Sequence, residues 1–384
     1  MSKPPSCHNL VDVICLSHLR WNFVFQRPQH LLSRCAREQR VFYVEEPVFD
    51  AAGAPQLVVN TSGGVRVAVP HVKPGCSDAE CTAIQRELLN ELLARERIRD
   101  YMLWYYTPMA LGFTSHLKPR AIVYDCMDEL SAFAHAPAAL KKREAELLRR
   151  AAVVFTGGQS LFDAKRHLHE NIHAFPSSVD VAHFGRARQI DTDHPEQAHV
   201  RRPRLGFFGV IDERMDIDLV AGVAAARPEW AIVLLGPVVK VDPAILPRAA
   251  NIHYLGAKTY EELPEFIAGW DVALLPFARN DATRFISPTK TPEYMAAGKP
   301  VVSTSIRDVV RPYGQQGLVR IADTVGEFVR ACEGALAEDA AARLRDADAF
   351  LRQTSWDGTW AQMRHLIQAA LGGAATSPST AAAV

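Results

Sequence analysis

The sequence predicts an α/β protein made of two doubly wound domains of similar size. Three observations predict it. Short, continuously apolar runs recur along the chain, with longer amphipathic stretches between them. Such runs belong to parallel strands covered by helices on both faces. A polar stretch near the middle breaks the alternation, and a second alternation follows. The length, 384 residues, suits two to three domains of ~150 residues each.

The elements follow in order. First-half strands are expected at Val11–Ser17, Val41–Glu45, Val65–Pro70, Tyr101–Tyr106, Ala121–Asp125 and Ala152–Thr156. Helical patterns lie at Pro28–Glu38, Ala79–Arg99, Ala138–Arg150 and Ser160–Glu170. Residues 181–203 are polar, show no periodicity and read as a linker. Second-half strands are expected at Arg204–Gly209, Ala231–Gly236, Ile252–Gly256, Val272–Pro276, Pro300–Thr304 and Leu318–Ile321. Helices are expected at Ile217–Ala226, Tyr260–Ala268, Pro292–Ala297 and Val325–Ala337. The layout is then a first domain over 10–180, a linker over 181–203 and a second domain over 204–354. A last helix over 355–371 and an Ala/Ser/Thr/Pro-rich, disordered tail over 372–384 complete it.

Composition narrows the function. Lys plus Arg and Asp plus Glu both number 43, so no charge excess points to nucleic acid. The seven cysteines form no Cys-x-x-Cys pair, which suits reduced thiols in a cytoplasmic protein. Residues 1–10 lack the apolar core of a signal peptide. No stretch reaches the ~20 apolar residues that span a bilayer. No metal is expected. The Asp-x-Asp pairs at 191/193, 216/218 and 346/348 do not directly follow apolar strands.

In open α/β sheets, ligands bind beyond the carboxyl ends of strands. With two such domains, the strand-end loops facing the intervening cleft carry the chemistry. The richest of these runs Ser287-Pro-Thr289-Lys290-Thr-Pro-Glu293-Tyr-Met-Ala-Ala-Gly-Lys-Pro-Val-Val302. Thr291 reads as a helix cap, Pro292 as the first helical residue and Gly298 as the helix stop. Lys290 then presents an ammonium to phosphates, and Glu293 a carboxylate to a ribose diol. The alternative is a solvated lysine and a glutamate that merely offsets the helix dipole.

This stretch resembles the nucleotide-binding signature of GT-B glycosyltransferases, of the group 1, family 4 type that builds bacterial envelope polysaccharides. The resemblance implies that Glu293 holds ribose and Lys290 contacts the pyrophosphate, with Ser287 and Thr289 beside them. Phe285 stands where the retaining enzymes of the family carry a further glutamate. Gly209–Asp216 resembles the family's Gly-Arg-x-x-x-x-Lys segment, with Val210 for the arginine and Met215 for the lysine. Arg214 is placed to substitute, and Gly209 allows close backbone approach. Tyr254 and Leu255 occupy the region that packs on the base. The resemblance also implies a last helix that crosses back onto the first domain. Thr156–Ser160 resembles the stretch that touches the second domain, but a plain helix cap at Gln159 or Ser160 is the first reading.

Two first-domain loops complete the candidate site. Ser17–His30 is dense in Arg, Trp, Asn and His, and resembles the N-terminal region of polysaccharide glycosyltransferases. His18, Arg20, Trp21 and Arg27 are its candidate acceptor-binding residues. The other reading is a hydrophobic lid of Trp21, Phe23 and Phe25. In Tyr124–Ser131, Asp128 and then Asp125 are candidate bases for an acceptor hydroxyl, the alternatives being a cap at Asp128 and a loop anchor at Asp125.

The expectation is therefore a glycosyltransferase of the GT-B fold that uses no cofactor. It would move a sugar from a nucleotide-diphosphate donor to a saccharide or lipid-linked acceptor. The cytoplasmic enzyme would touch the inner membrane, if at all, through the basic run Lys141–Arg150, which equally suits a solvated helix face. A GT-B-fold sugar-nucleotide epimerase and a non-catalytic nucleotide-sugar or saccharide-binding subunit are the alternatives.

Overall fold

The computed structural model describes residues 11–134 and 136–374. Two parallel sheets dominate it. The first contains β1 (Asp12–Leu16), β2 (Val41–Val44), β3 (Val48–Phe49), β4 (Gln56–Ser62), β5 (Val65–Val72), β6 (Tyr101–Tyr105), β7 (Ile122–Cys126), β8 (Val153–Thr156) and β9 (Ile172–Ala174). Their order is β3-β5-β2-β1-β6-β7-β8-β9, with β4 antiparallel on β5. The second contains β10 (Arg204–Phe208), β11 (Ala231–Leu235), β12 (Ile252–Gly256), β13 (Val272–Leu275), β14 (Val301–Ser303) and β15 (Arg320–Ile321). Their order, β12-β11-β10-β13-β14-β15, reverses direction beside the first strand, as doubly wound sheets do. Every residue of β6, β7, β10 and β11 is buried, which is why these strands read as unbroken apolar runs.

The β4–β5 hairpin was absent from the expected elements. It closes at Gly63 and Gly64, with φ of 57° and 80°, and Ser62 pairs with Val65. Two positive φ values in a two-residue loop are what a glycine pair supplies.

Residues 181–203 are not a loose linker. Asp180 Oδ1 accepts from His183 N (3.0 Å) and starts a short helix, Val181–Gly185. Phe184, Ala187 and Val200 enter the second domain's core. Gln197 donates to Phe266 O (2.8 Å), and Arg188 donates to Ala296 O (2.7 Å) and Met295 O (3.1 Å). Polar side chains do much of this holding, so no apolar period marks the segment. A further helix, Ala340–Leu351, was expected only as a helical stretch around Asp346 and Asp348, without bounds; it is rich in alanine and charge and buries only Ala347 and Leu351.

The last helix, Trp356–Ala374, crosses back to the first sheet. Trp356, Trp360, Met363 and Ile367 join one cluster with Val13, Leu31, Trp104 and Phe155. Trp356 stacks on His30, with centroids 4.5 Å apart. This helix includes 372–374, which the sequence assigned to a disordered tail; residues 375–384 lie outside the described residues.

The two domains also meet behind the cleft. The helix Gln159–Lys165 has no cap of its own, and Asp308 of the second domain caps it, accepting from Ser160 N at 2.9 Å. Arg307 pairs with Asp163 at 3.1 Å. Phe285 packs against the first domain's core cluster. No described helix is long and apolar enough to cross a membrane.

Candidate functional site

Between the domains lies a cavity of about 1060 Å³. It is walled by the loops that follow β1, β7, β10, β11, β12 and β13, at the carboxyl ends of both sheets. A crevice there is dictated by the winding of the sheets rather than by any one residue.

The second-domain wall is built around two glycines. Gly209 ends β10 at φ 138°, and Gly236 ends β11 at φ 142°. A Cβ on Gly236 would sit 1.9 Å from Gly209 O, and one on Gly209 would sit 2.3 Å from Lys290 Cε. The lysine stem therefore lies on bare backbone. Gly236→Ala combines a strained φ with a backbone clash. It is expected to lower stability by ~1–3 kcal/mol and to displace Lys290. Denaturant unfolding and donor titration of that variant are the checks, and wild-type values in both would contradict the packing.

Lys290 and Glu293 sit in one short helix, Lys290–Ala296. It starts two residues earlier than Thr291 as cap would allow. Thr289 is the cap residue, with helical φ and ψ and no side-chain cap bond, and Pro292 falls in the first turn. A proline is tolerated there because first-turn N–H groups lack partners anyway. The C-terminal end follows the sequence expectation: Gly298 has φ 76°, and Lys299 N donates to Tyr294 O (3.0 Å). Tyr294 reaches back to accept from Phe208 N (3.0 Å), tying the helix to the end of β10.

Glu293 is 5% exposed, and its Oε2 has no partner among the described residues. Burial pushes its carboxyl well above the usual range, against the pull of the Lys290 charge. Burial pushes Lys290 down, again opposed by its neighbour. A buried polar atom without a partner is costly and rare. Here it points into a cavity between two domains.

Arg214 also lines the cavity, but not as a free cation. Asp212 holds it in a fork, with Nε–Oδ1 at 2.9 Å and Nη2–Oδ2 at 2.7 Å. Its guanidinium stands 5.8 Å from the Phe133 ring centroid, across the cleft. Ser287 and Thr289 line the cavity as well. Tyr254 and Leu255 do not. Tyr254 Oη donates to Pro247 O (3.1 Å), and both residues pack on the second domain's core. Gly256, at φ 73°, turns the chain, so Ala257–Leu263 form that wall instead.

The first-domain candidates divide sharply. Asp125 is 0% exposed and Arg27 is 1% exposed. They form a buried ion pair, with Arg27 Nη2 at 2.9 Å and Nε at 3.1 Å from Asp125 Oδ1. Arg27 Nη1 also donates to Phe175 O (2.7 Å). Asp125 is thus a structural anchor rather than a base, and Arg27 is largely engaged in holding it. Arg20 pairs with Glu45 (3.0 Å) and donates to Pro47 O (3.0 Å), away from the cavity. Trp21 is a core residue, set edge-on to Tyr43 at 4.9 Å. His18 and Asp128 line the cleft, and Arg27 and Trp21 also reach its wall. His18 is lowered to about 4 by burial and then by Lys240. Burial raises Asp128, while Arg214 and Arg27 pull the other way.

The sequence reading missed several lining residues. Lys240, Glu213 and Tyr260 all reach the cavity. Phe25 stacks on Tyr260 at 4.3 Å, closing one end of the cleft across the domain boundary. The loop before Pro28 signalled Phe25, but its partner lies 235 positions along the chain. Phe285 does not line the cavity. Among the described residues, no three His, Cys, Asp or Glu side chains group to hold a metal.

Residues 202–338, spanning β10 to β15 and the Lys290–Glu293 helix, match the family model described as Glycosyl transferases group 1. Over those residues the second domain is similar to the group 1 glycosyl transferases. Over 261 residues the chain is 24% identical to TuaH of Bacillus subtilis (strain 168), named as a glycosyltransferase of teichuronic acid biosynthesis. That alignment covers 62% of this chain and 64% of TuaH. The whole fold matches sucrose-phosphate synthase of Thermosynechococcus elongatus, with a TM-score of 0.70 and 12% identity over 94% of this chain and 100% of that one. It also matches the Anabaena protein HepE in complex with UDP and glucose, with a TM-score of 0.64 and 14% identity over 92% of this chain and 98% of the other. The architecture is the GT-B fold, and the stretch that matches the family model supplies its Lys290–Glu293 wall.

Proposed function

We propose that the protein is a glycosyltransferase that uses a nucleotide-diphosphate sugar and works in cell-envelope polysaccharide synthesis. One observation carries the reading. Glu293 offers an unpartnered, buried carboxylate oxygen to a cleft in which Lys290 offers a cation, three residues away on the same helix. A nucleoside diphosphate carries the matching groups, a ribose diol and a pyrophosphate. The TuaH match supports the envelope setting.

In this reading Glu293 accepts hydrogen bonds from the ribose hydroxyls. Lys290 lies along Gly209 and neutralises the leaving diphosphate, with Arg214 as a second cation oriented by Asp212. Charge that develops on the leaving group is stabilised by cations already in place. The acceptor, a saccharide or a lipid-linked saccharide, enters on the first-domain side, past His18 and the 22–25 loop. Asp128 takes the proton of its hydroxyl. The enzyme acts in the cytoplasm, where such donors are made, and any membrane contact is peripheral.

Asp128→Asn is expected to lower turnover at saturating substrates by ~10²–10⁴-fold with donor affinity retained. Because burial raises this carboxyl, protonation removes the base as pH falls, so turnover should drop on the acid side. An unaltered rate in the variant would eliminate Asp128 as base. For the reaction itself, nucleoside diphosphate release is measured with and without acceptor. Release that requires acceptor supports the transferase, and tight donor binding without turnover would overturn it in favour of a binding subunit.

A further inference from the structure

Cys76 and Cys81 flank the start of the helix Asp78–Arg95. Ser77 caps that helix in a reciprocal box. Its Oγ accepts from Glu80 N (3.3 Å), and Glu80 Oε2 accepts from Ser77 N (2.8 Å). In such a box, the residue before the cap packs against the fourth helical residue as a staple. Those two positions are Cys76 and Cys81. Cys81 N donates to Ser77 O (2.8 Å), which fixes the first turn beneath Cys76. Gly75, at φ 80°, turns the chain just before it. Cys81 is buried and Cys76 is half-buried, so one thiol meets solvent and the other waits behind it. Neither lines the cleft.

We propose that Cys76 and Cys81 form a dithiol that closes to a disulfide by exchange with a low-molecular-weight disulfide. The Cys76 thiolate attacks one sulfur of the small disulfide. A protein mixed disulfide forms and one small thiolate leaves. The Cys81 thiolate then attacks Cys76 Sγ, expelling the second small thiolate. Two protein thiols are oxidised, one small disulfide is reduced to two thiols, and both protons pass to solvent or to the leaving thiolates.

The surroundings set the order of these steps. Burial, and then the charge and hydrogen bonding of Cys76, push the Cys81 thiol up to about 11. Cys81 is therefore a poor first nucleophile. Once Cys76 is in a mixed disulfide, its contribution to that rise is gone, and Cys81 becomes the resolving thiol. Cys15, Cys35, Cys126 and Cys332 are all buried, which denies a small disulfide access to them. The product would place a bond at the two staple positions.

The experiment uses the full chain with Cys7→Ser, incubated with oxidised glutathione. One tryptic peptide, Val67–Arg86, contains both cysteines, because Lys73 precedes Pro74 and is not cut. The expected result is that this peptide loses two hydrogen masses and resists alkylation after denaturation. Cys81→Ser should trap glutathione on Cys76, and Cys76→Ser should leave Cys81 unmodified. Stable glutathione on Cys76 in the intact pair would overturn the proposal. So would two thiols that remain alkylatable, or a Cys76→Ser variant modified at Cys81 as fast as the intact pair reacts.

Discussion

Replacing Glu293 by alanine is expected to weaken nucleoside diphosphate binding by ~10²-fold or more, with little change in unfolding midpoint. Hydrogen bonds to a charged group contribute about 1.5–3 kcal/mol each, and every 1.4 kcal/mol is tenfold in affinity. The fold should tolerate the change because Oε2 has no protein partner to strand. Removing a buried carboxylate with one unpartnered oxygen relieves a desolvation cost. Affinity should also depend on pH in a defined way. Burial raises the Glu293 carboxyl, so lowering the pH protonates it and removes an acceptor for ribose. Burial lowers Lys290, so raising the pH strips its ammonium and the pyrophosphate loses a cation. Binding should therefore be strongest between these two titrations and fall on either side. Calorimetric titration with nucleoside diphosphates across pH tests both points. Unchanged affinity in Glu293→Ala would sink the donor-site assignment.

The second large effect is on stability. Asp125→Ala should destabilise the protein by about 3–5 kcal/mol, the usual consequence of removing one partner of a buried ion pair. Arg27 cannot shed its proton to escape, since a guanidinium stays charged in proteins. With Arg27 and Asp125 both essentially sealed from solvent, the stranded cation would keep Phe175 O as its hydrogen-bond acceptor among the described residues. Arg27→Met combined with Asp125→Leu should recover most of the loss, because no charge is then stranded. Denaturant unfolding of the three variants is the measurement. A single variant with a wild-type midpoint but no turnover would restore Asp125 as a catalytic candidate.

That contrast shows where the sequence is legible. Asp125 and Asp128 stand three positions apart at a strand end, and no local pattern separates them. The partner that decides their fates, Arg27, is 98 residues away. The sheets were readable because burial on both faces forces uninterrupted apolar runs, and Ile252–Gly256 was placed to the residue. The pairing of Gly63 with Gly64 was a readable hairpin signal that the apolar-run criterion passed over. The 181–203 segment was unreadable by periodicity because its grip on the second domain runs largely through Arg188, His183 and Gln197. Glu293 and Lys290 were legible because helix spacing alone puts them on one turn. Tyr254 and Leu255 failed because the turn at Gly256 carries the chain past them before it reaches the cleft.

The returning helix sets an order of events for a chain emerging from the ribosome. Val13, Leu31, Trp104 and Phe155 are made early, yet Trp356, Trp360, Met363 and Ile367, which cover them, are made last. At ~5–20 residues per second, that face of the first sheet waits on the order of 10–40 s for its cover. The half synthesised first is thus the half completed last. The second domain has all of its own strands before the final helix is made, and so can fold ahead of the domain that precedes it.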